Sequence, residues 1–184
     1  MTNVFAFGNC SEGQLGIGTS NEFCLPASIE AFQNQQIKSI VSGLKHACVL
    51  TADGQVYSFG NNDYGQLGHQ KRRTRPERVD ALETFIIEQV ACGAHHTLFL
   101  TKTGAIFCCG DNRRGQFAVA PTPELEHSYK PRLVNALANY KVIQVAAGGD
   151  FSVALTQAGD VFAWGDNSCG SLTVERFTGF VFLV

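Results

Sequence analysis

Val90-Ala-Cys-Gly-Ala-His-His-Thr-Leu-Phe-Leu-Thr-Lys-Thr-Gly104 is the stretch that decides the fold. It passes from small residues through a glycine to a histidine, then runs into an alternating apolar strand that a Gly-ended turn stops. The same phrase occurs earlier as Val41-Ser-Gly-Leu-Lys-His-Ala-Cys-Val-Leu-Thr-Ala-Asp-Gly54. It returns as Val145-Ala-Ala-Gly-Gly-Asp-Phe-Ser-Val-Ala-Leu-Thr-Gln-Ala-Gly159. Three copies at a near-fixed spacing identify a repeat protein.

A second phrase precedes each copy of the first. It reads Val4-Phe-Ala-Phe-Gly-Asn-Cys-Ser-Glu-Gly-Gln-Leu-Gly16, then Val56-Tyr-Ser-Phe-Gly-Asn-Asn-Asp-Tyr-Gly-Gln-Leu-Gly68. It decays through Ile106-Phe-Cys-Cys-Gly-Asp-Asn-Arg-Arg-Gly-Gln-Phe-Ala118 to Val161-Phe-Ala-Trp-Gly-Asp-Asn-Ser-Cys-Gly-Ser-Leu-Thr173. Its glycines Gly8, Gly60, Gly110 and Gly165 lie 52, 50 and 55 residues apart, and those of the first phrase are Gly43, Gly93 and Gly148. A repeat of this length, rich in short strands, predicts propeller blades or solenoid turns.

Each unit reads as β. Ile37 to Gly43, Ile86 to Gly93 and Val142 to Gly148 form a first strand, and His46 to Thr51, Thr97 to Thr101 and Ser152 to Thr156 a second. The Val/Ile-aromatic-x-x-Gly phrase is a third, and a shorter fourth follows Pro26, Pro76 and Pro131. The units run roughly 4–54, 56–104, 106–159 and 161–173, with 174–184 a divergent apolar tail. Helix signals are weak, the best being a short segment at Pro123 to His127.

Composition narrows the class. The 184 residues are 45% hydrophobic and 16% charged, which suits a folded chain and not a disordered one. A net charge of −2 gives no general reason to expect nucleic acid or an anionic membrane as partner. No amino-terminal segment has signal-peptide character, and the apolar run Phe180 to Val184 is too short to span a bilayer. The seven cysteines form no Cys-x-x-Cys pair, and Cys92 aligns with Ser42 and Ala147. They read as small buried apolar residues of a reducing compartment, cytosol or nucleus.

The two phrases resemble the repeats of the regulator of chromosome condensation family from Val4 to Leu172, and Val90 to Leu100 matches that family's signature throughout. The resemblance implies an all-β propeller, here about three full repeats with partial ends. Gly65-Gln-Leu-Gly-His-x-Lys, followed by Pro76-Glu-x-Val-x-Ala-Leu82, is most similar to the small HERC proteins, ubiquitin ligases with a propeller ahead of a catalytic HECT domain. Phe151 departs from the pattern by replacing the signature histidine, as Phe117-Ala118 does in its loop. The chain opens and closes on the third-strand phrase, so an incomplete ring and a partial gene product are expected.

Candidate chemistry is sparse. His46 and His96 repeat in one slot, which assigns them a structural task between strands. Gly13-Gln-Leu-Gly-Ile-Gly18 lacks the following helix of a phosphate loop. No catalytic set, metal site or cofactor site assembles, and Cys108-Cys109 read as alternating in and out along a strand. The basic loop, Lys71, Arg72, Arg73 and Arg75 with Arg78, is the surface feature suited to a partner contact. The resemblance implies a non-catalytic protein-interaction module of a HECT-type ubiquitin ligase that recruits ubiquitination substrates. Its alternative is guanine-nucleotide exchange on a Ran-like small GTPase.

Overall fold

Each long apolar strand ends on a threonine whose hydroxyl oxygen closes the next turn. Thr51 Oγ1 accepts from the Gln55 amide at 3.1 Å, Thr101 Oγ1 from Ala105 at 3.0 Å and Thr156 Oγ1 from Asp160 at 3.1 Å. With Gly54, Gly104 and Gly159 supplying the positive φ of these turns, the chain must fold back as hairpins. A computed structural model describes residues 3–21, 23–71, 73–170 and 172; the divergent apolar tail expected at 174–184 lies outside the described residues.

The strands are β1 (Phe5–Gly8), β2 (Phe23–Ser28), β3 (Ile37–Ser42), β4 (His46–Thr51), β5 (Val56–Gly60), β6 (Glu77–Arg78) and β7 (Ile87–Cys92). They continue as β8 (His96–Thr101), β9 (Ile106–Asp111), β10 (His127–Leu133), β11 (Val142–Gly148), β12 (Phe151–Thr156) and β13 (Val161–Gly165). They pair antiparallel in four sheets, ordered β1-β2, β3-β4-β5-β6, β7-β8-β9-β10 and β11-β12-β13. The second strands begin on His96 and Phe151, one residue earlier than the sequence pattern suggests. Pro123–Leu125 is a 3₁₀ turn, and three more 3₁₀ turns at Glu30–Phe32, Asp80–Leu82 and Asn135–Leu137 connect one sheet to the next.

Sequence unit and sheet are out of phase. A unit begun at the aromatic phrase gives its third and fourth strands to one sheet and its first two to the next. Each first strand carries a bulge at the same place, between Ile37 and Ser39, Ile87 and Gln89, and Val142 and Gln144. The bulged residues Lys38 and Glu88 of neighbouring sheets pair at 2.6 Å. Gln89 then ties β7 to β11 through the backbone of Val145, donating to its carbonyl at 2.7 Å and accepting from its amide at 2.9 Å.

The core lies between sheets and not within one. Val4, Ile29 and Phe32 pack on Ala47, Val49 and Phe59; Cys48, Leu50 and Val56 pack on Val90, Phe99 and Cys109. Leu98, Leu100, Ile106 and Cys108 pack on Val142, Val145, Phe162 and Trp164. Strands β4 and β8 are therefore buried on both faces along their whole length, whereas β12 alternates. The same sandwiching corrects the in-and-out reading of Cys108-Cys109: they do face opposite ways, but both are fully buried, because each face meets another sheet.

One repeat slot measures what that stacking contributes. Phe7, Phe59, Cys109 and Trp164 all precede the phrase glycine; Phe59 is 2% exposed and Phe7 is 64% exposed. Phe59→Ala should cost about 3–5 kcal/mol in urea unfolding of the full chain, as for other buried aromatics. Phe7→Ala should cost less than about 1 kcal/mol. Equal losses would contradict the packing described here.

Candidate functional site

The two signature histidines stand at the same end of the sheets, where the first-to-second-strand turns and the long glycine-rich loops converge. His46 faces Gly60 across β4 and β5, as His96 faces Gly110 and Phe151 faces Gly165. A Cβ on Gly60 would lie 2.5 Å from the Lys45 carbonyl oxygen, at a φ of +108°, so only glycine fits there. The imidazole in turn lies flat on the first-phrase glycine: a Cβ on Gly43 would meet His46 Cε1 at 2.2 Å, and one on Gly93 would meet His96 Cε1 at 2.1 Å. At Gly148 the ring is that of Phe151.

Each ring reaches out of its own sheet. His46 Nε2 lies 2.9 Å from Thr97 Oγ1 and His96 Nε2 lies 2.9 Å from Ser152 Oγ, both on the next sheet. The Thr97 hydroxyl donates its one proton to the Gln66 carbonyl at 2.8 Å, so it must accept from His46. That places a proton on His46 Nε2, and the Nδ1 atoms of His46 and His96 are left buried without a partner. Burial pushes the His96 pKa down to about 3.

The carbonyl that ends this relay belongs to the Gly-Gln-Leu-Gly loop. Gln116 O accepts from Trp164 Nε1 at 2.7 Å, and Gln66 O takes the Cys109 thiol, in the same slot, at 3.5 Å. The loop is braced from inside: Asn62 Oδ1 accepts from Leu67 N at 3.0 Å, Asn112 Oδ1 from Phe117 N at 2.9 Å and Asn167 Oδ1 from Leu172 N at 3.0 Å. Gln66 Oε1 accepts from Tyr64 N at 3.1 Å and Gln116 Oε1 from Arg114 N at 2.9 Å. Both glutamines are fully buried. The recurring Asn and Gln are legible in the phrase as repeated positions, but their task appears only with the loop closed.

On the same rim a polar and aromatic constellation spans two sheets. Arg113 grips Asp111 through Nε at 3.0 Å and Nη2 at 2.8 Å, and its guanidinium lies 4.5 Å from the Tyr64 ring centre. The Tyr64 ring meets His95 at a 58° tilt with centroids 5.1 Å apart. Burial works to raise the Asp111 carboxyl, but the hydrogen bonds of Arg113 outweigh it and hold the group below the usual range. Arg113 is half-exposed and leads this surface into solvent. Sequence reading missed it, since only the fold brings residues 64, 95, 111 and 113 together.

The basic loop proves to be partly neutralised by its neighbours. Lys71 Nζ meets Asp80 Oδ2 at 2.5 Å, and Arg78 reaches Glu83 at 2.8 Å and Asp80 at 3.4 Å. The Lys71 hydrogen bond holds Asp80 below its ordinary value. Arg73 lies 3.4 Å from Asp63, and the loop backbone crosses to the preceding unit, where Thr74 O accepts from Gly18 N at 2.7 Å. Arg75 packs over Gly18, and Arg72 lies outside the described residues. The loop is thus a clasp between units as much as a charged surface. Among the described residues no group of three or more His, Cys, Asp or Glu is placed to hold a metal ion.

Face-packed antiparallel sheets joined by a polar relay define a β-propeller repeat protein. The family model described as the RCC1-like domain matches residues 3–180, and the chain belongs to that family. It is 44% identical over 171 residues to the protein named "Probable E3 ubiquitin-protein ligase HERC4" of Rattus norvegicus, an alignment covering 92% of this chain and 16% of that protein. It is 39% identical over 173 residues to HERC6 of Homo sapiens, covering 92% of this chain and 17% of that protein. The chain therefore spans less than a fifth of those relatives. The crystal structure of human WBSCR16 superposes with a TM-score of 0.81 at 28% identity, covering 96% of this chain and 46% of the other.

The neutral histidine makes stability fall in acid. His96 stays neutral in the folded chain down to about pH 3, while the unfolded histidine takes up a second proton below about pH 6.5. Its contribution is complete above pH 6.5 and is lost as pH falls toward 3, on the order of 5 kcal/mol in all. His96→Phe, the residue type of the third copy, should flatten that part of the unfolding-versus-pH curve. At pH 7 it should cost about 1–3 kcal/mol, because Ser152 loses its donor. An unchanged pH slope in the variant would show that His96 titrates near its ordinary value.

Proposed function

We propose that this chain is a non-catalytic protein-interaction propeller whose loop-bearing rim recruits or orients substrates for a HECT-type ubiquitin ligase in the cytosol or nucleus. The observation that carries the reading is the 44% identity with HERC4 over nearly the whole chain. The geometry supports it in kind: the polar groups that could carry chemistry are engaged in holding sheets together. Groups from two sheets converge on one rim, where exposed Arg113 with partly buried Tyr64 and His95 offers a cationic and aromatic contact of the sort enriched at protein interfaces.

The test uses the full-length protein in reconstituted ubiquitin transfer. Arg113→Ala with Tyr64→Ala should lower ubiquitination of a bound substrate about tenfold or more, the loss of one interface hot spot. Ubiquitin loading of the ligase itself should be unchanged. Unaltered substrate transfer would overturn recruitment through this rim. Accelerated nucleotide release from a Ran-like GTPase would favour the exchange reading in its place.

A further inference from the structure

The loop from Gly68 to Pro76 carries a single Ser or Thr hydroxyl, that of Thr74, and the interaction reading gives it no task. Lys71, Arg72 and Arg73 stand directly before it and Arg75 directly after. No other Ser or Thr of the chain follows three consecutive cations. Hydroxyls in the strands are committed: Thr51 and Thr101 close turns, and Thr97 and Ser152 meet the signature histidines. Thr74 is partly exposed between exposed Arg73 and Arg75, and among the described residues its hydroxyl has no hydrogen-bond partner.

The clasp between units is made by other atoms of the loop. The Gly60 amide donates to the Arg73 carbonyl at 2.7 Å and the Gly18 amide to the Thr74 carbonyl at 2.7 Å. A Cβ on Gly13 would meet Thr74 Cα at 2.8 Å and Cγ2 at 3.0 Å, so backbone and methyl group face the first unit. The Oγ1 atom takes no part. The flanking cations are held loosely. Arg73 lies 3.4 Å from Asp63 with both side chains exposed, and Arg75, packed over Gly18, has no ion-pair partner among the described residues. Surface pairs of this kind exchange readily.

We propose that Thr74 is a phosphorylation site for a serine/threonine kinase whose acidic substrate groove selects basic residues before the hydroxyl. Lys71, Arg72 and Arg73 supply that charge pattern from one exposed loop. In the transfer, Thr74 Oγ1 attacks the γ-phosphorus of ATP. The O–P bond forms, the bond from the γ-phosphorus to the β,γ-bridging oxygen breaks, and ADP leaves with that electron pair. The hydroxyl proton passes to the kinase's base and then to water. The product phosphate carries a charge of about −1.5 to −2 and accepts charge-assisted hydrogen bonds from guanidinium groups such as those of Arg73 and Arg75. Four positive charges at residues 71, 72, 73 and 75 become about two, so the modification halves the charge of the loop.

Chymotrypsin isolates the site, because cleavage after Leu67 and Leu82 gives a 68–82 peptide in which Thr74 is the sole Ser, Thr or Tyr. The folded full chain is incubated with Mg-ATP and the catalytic subunit of cAMP-dependent protein kinase, then digested and weighed by mass spectrometry. The expected product is a 68–82 peptide carrying one phosphate that a phosphatase removes. Arg72→Gln should slow its formation about tenfold, the loss of one charge-assisted contact to the kinase. Thr74→Val, which keeps the methyl group against Gly13, should leave the peptide unlabelled and the urea midpoint nearly unchanged. An unmodified 68–82 peptide from the folded wild type overturns the assignment, even where a synthetic peptide of the same sequence is labelled, since the clasp then withholds the hydroxyl. Labelling that is indifferent to Arg72→Gln overturns the charge recognition on which the assignment stands. The wild-type readout holds whether or not the variants fold.

Discussion

The structure depends on one proton, the Nε2–H that each signature histidine donates across the gap to the next sheet. A buried imidazolium would carry an uncompensated charge, and a ring protonated at Nδ1 would meet the Thr97 hydroxyl with no proton to offer. A proton on Nε2 completes the chain from His46 through Thr97 to the Gln66 carbonyl. Around it the apolar layers are non-directional and would tolerate some sliding of one sheet on the next. The relay supplies direction, joining sheet to sheet at the rim while the leucines, valines and aromatics fill the space behind it.

The two glycine series follow from that constraint. For the ring to reach forward, it must lie on the backbone at Gly43 or Gly93, where a methyl group would sit on its Cε1 atom. Opposite it, Gly60 and Gly110 let the third strand close against the backbone of residues 45 and 95 and swing the chain into the loop that presents the accepting carbonyl. The buried Gln and Asn then hold that loop in place. Buried His, Gln and Asn, whose burial is usually costly, are here each engaged by the next, with only the imidazole Nδ1 atoms left over.

Much of this was legible in the sequence because it repeats. The strand order, the turns at Thr51, Thr101 and Thr156, and the common structural slot of His46 and His96 all follow from comparing copies. What a repeat does not encode is which copy a side chain touches. Thr97 and Ser152 read as ordinary strand residues until the sheet before them is in place. Arg113 reads as one more surface charge until Asp111 and Tyr64 flank it. The sandwiching of β9 between two sheets likewise buried both Cys108 and Cys109, since burial on both faces depends on neighbours that a single strand pattern cannot name.

The gaps, finally, are built alike but furnished differently. The first pairs Glu12 with Lys45 at 3.9 Å and has Ala47 in the hydroxyl slot, so no relay can form there. The second sets Tyr64 against His95 in the same two positions and has the full histidine–threonine–carbonyl chain. The third brings Asp150 to Gln116 at 3.4 Å, with Ser152 and the Trp164 indole sharing the carbonyl. Interchanging two sheets would set a lysine against a tyrosine or leave a buried histidine facing an alanine, at the cost of an unpaired polar group. The repeat sets the spacing, and the departures from it fix the order in which the sheets can stack.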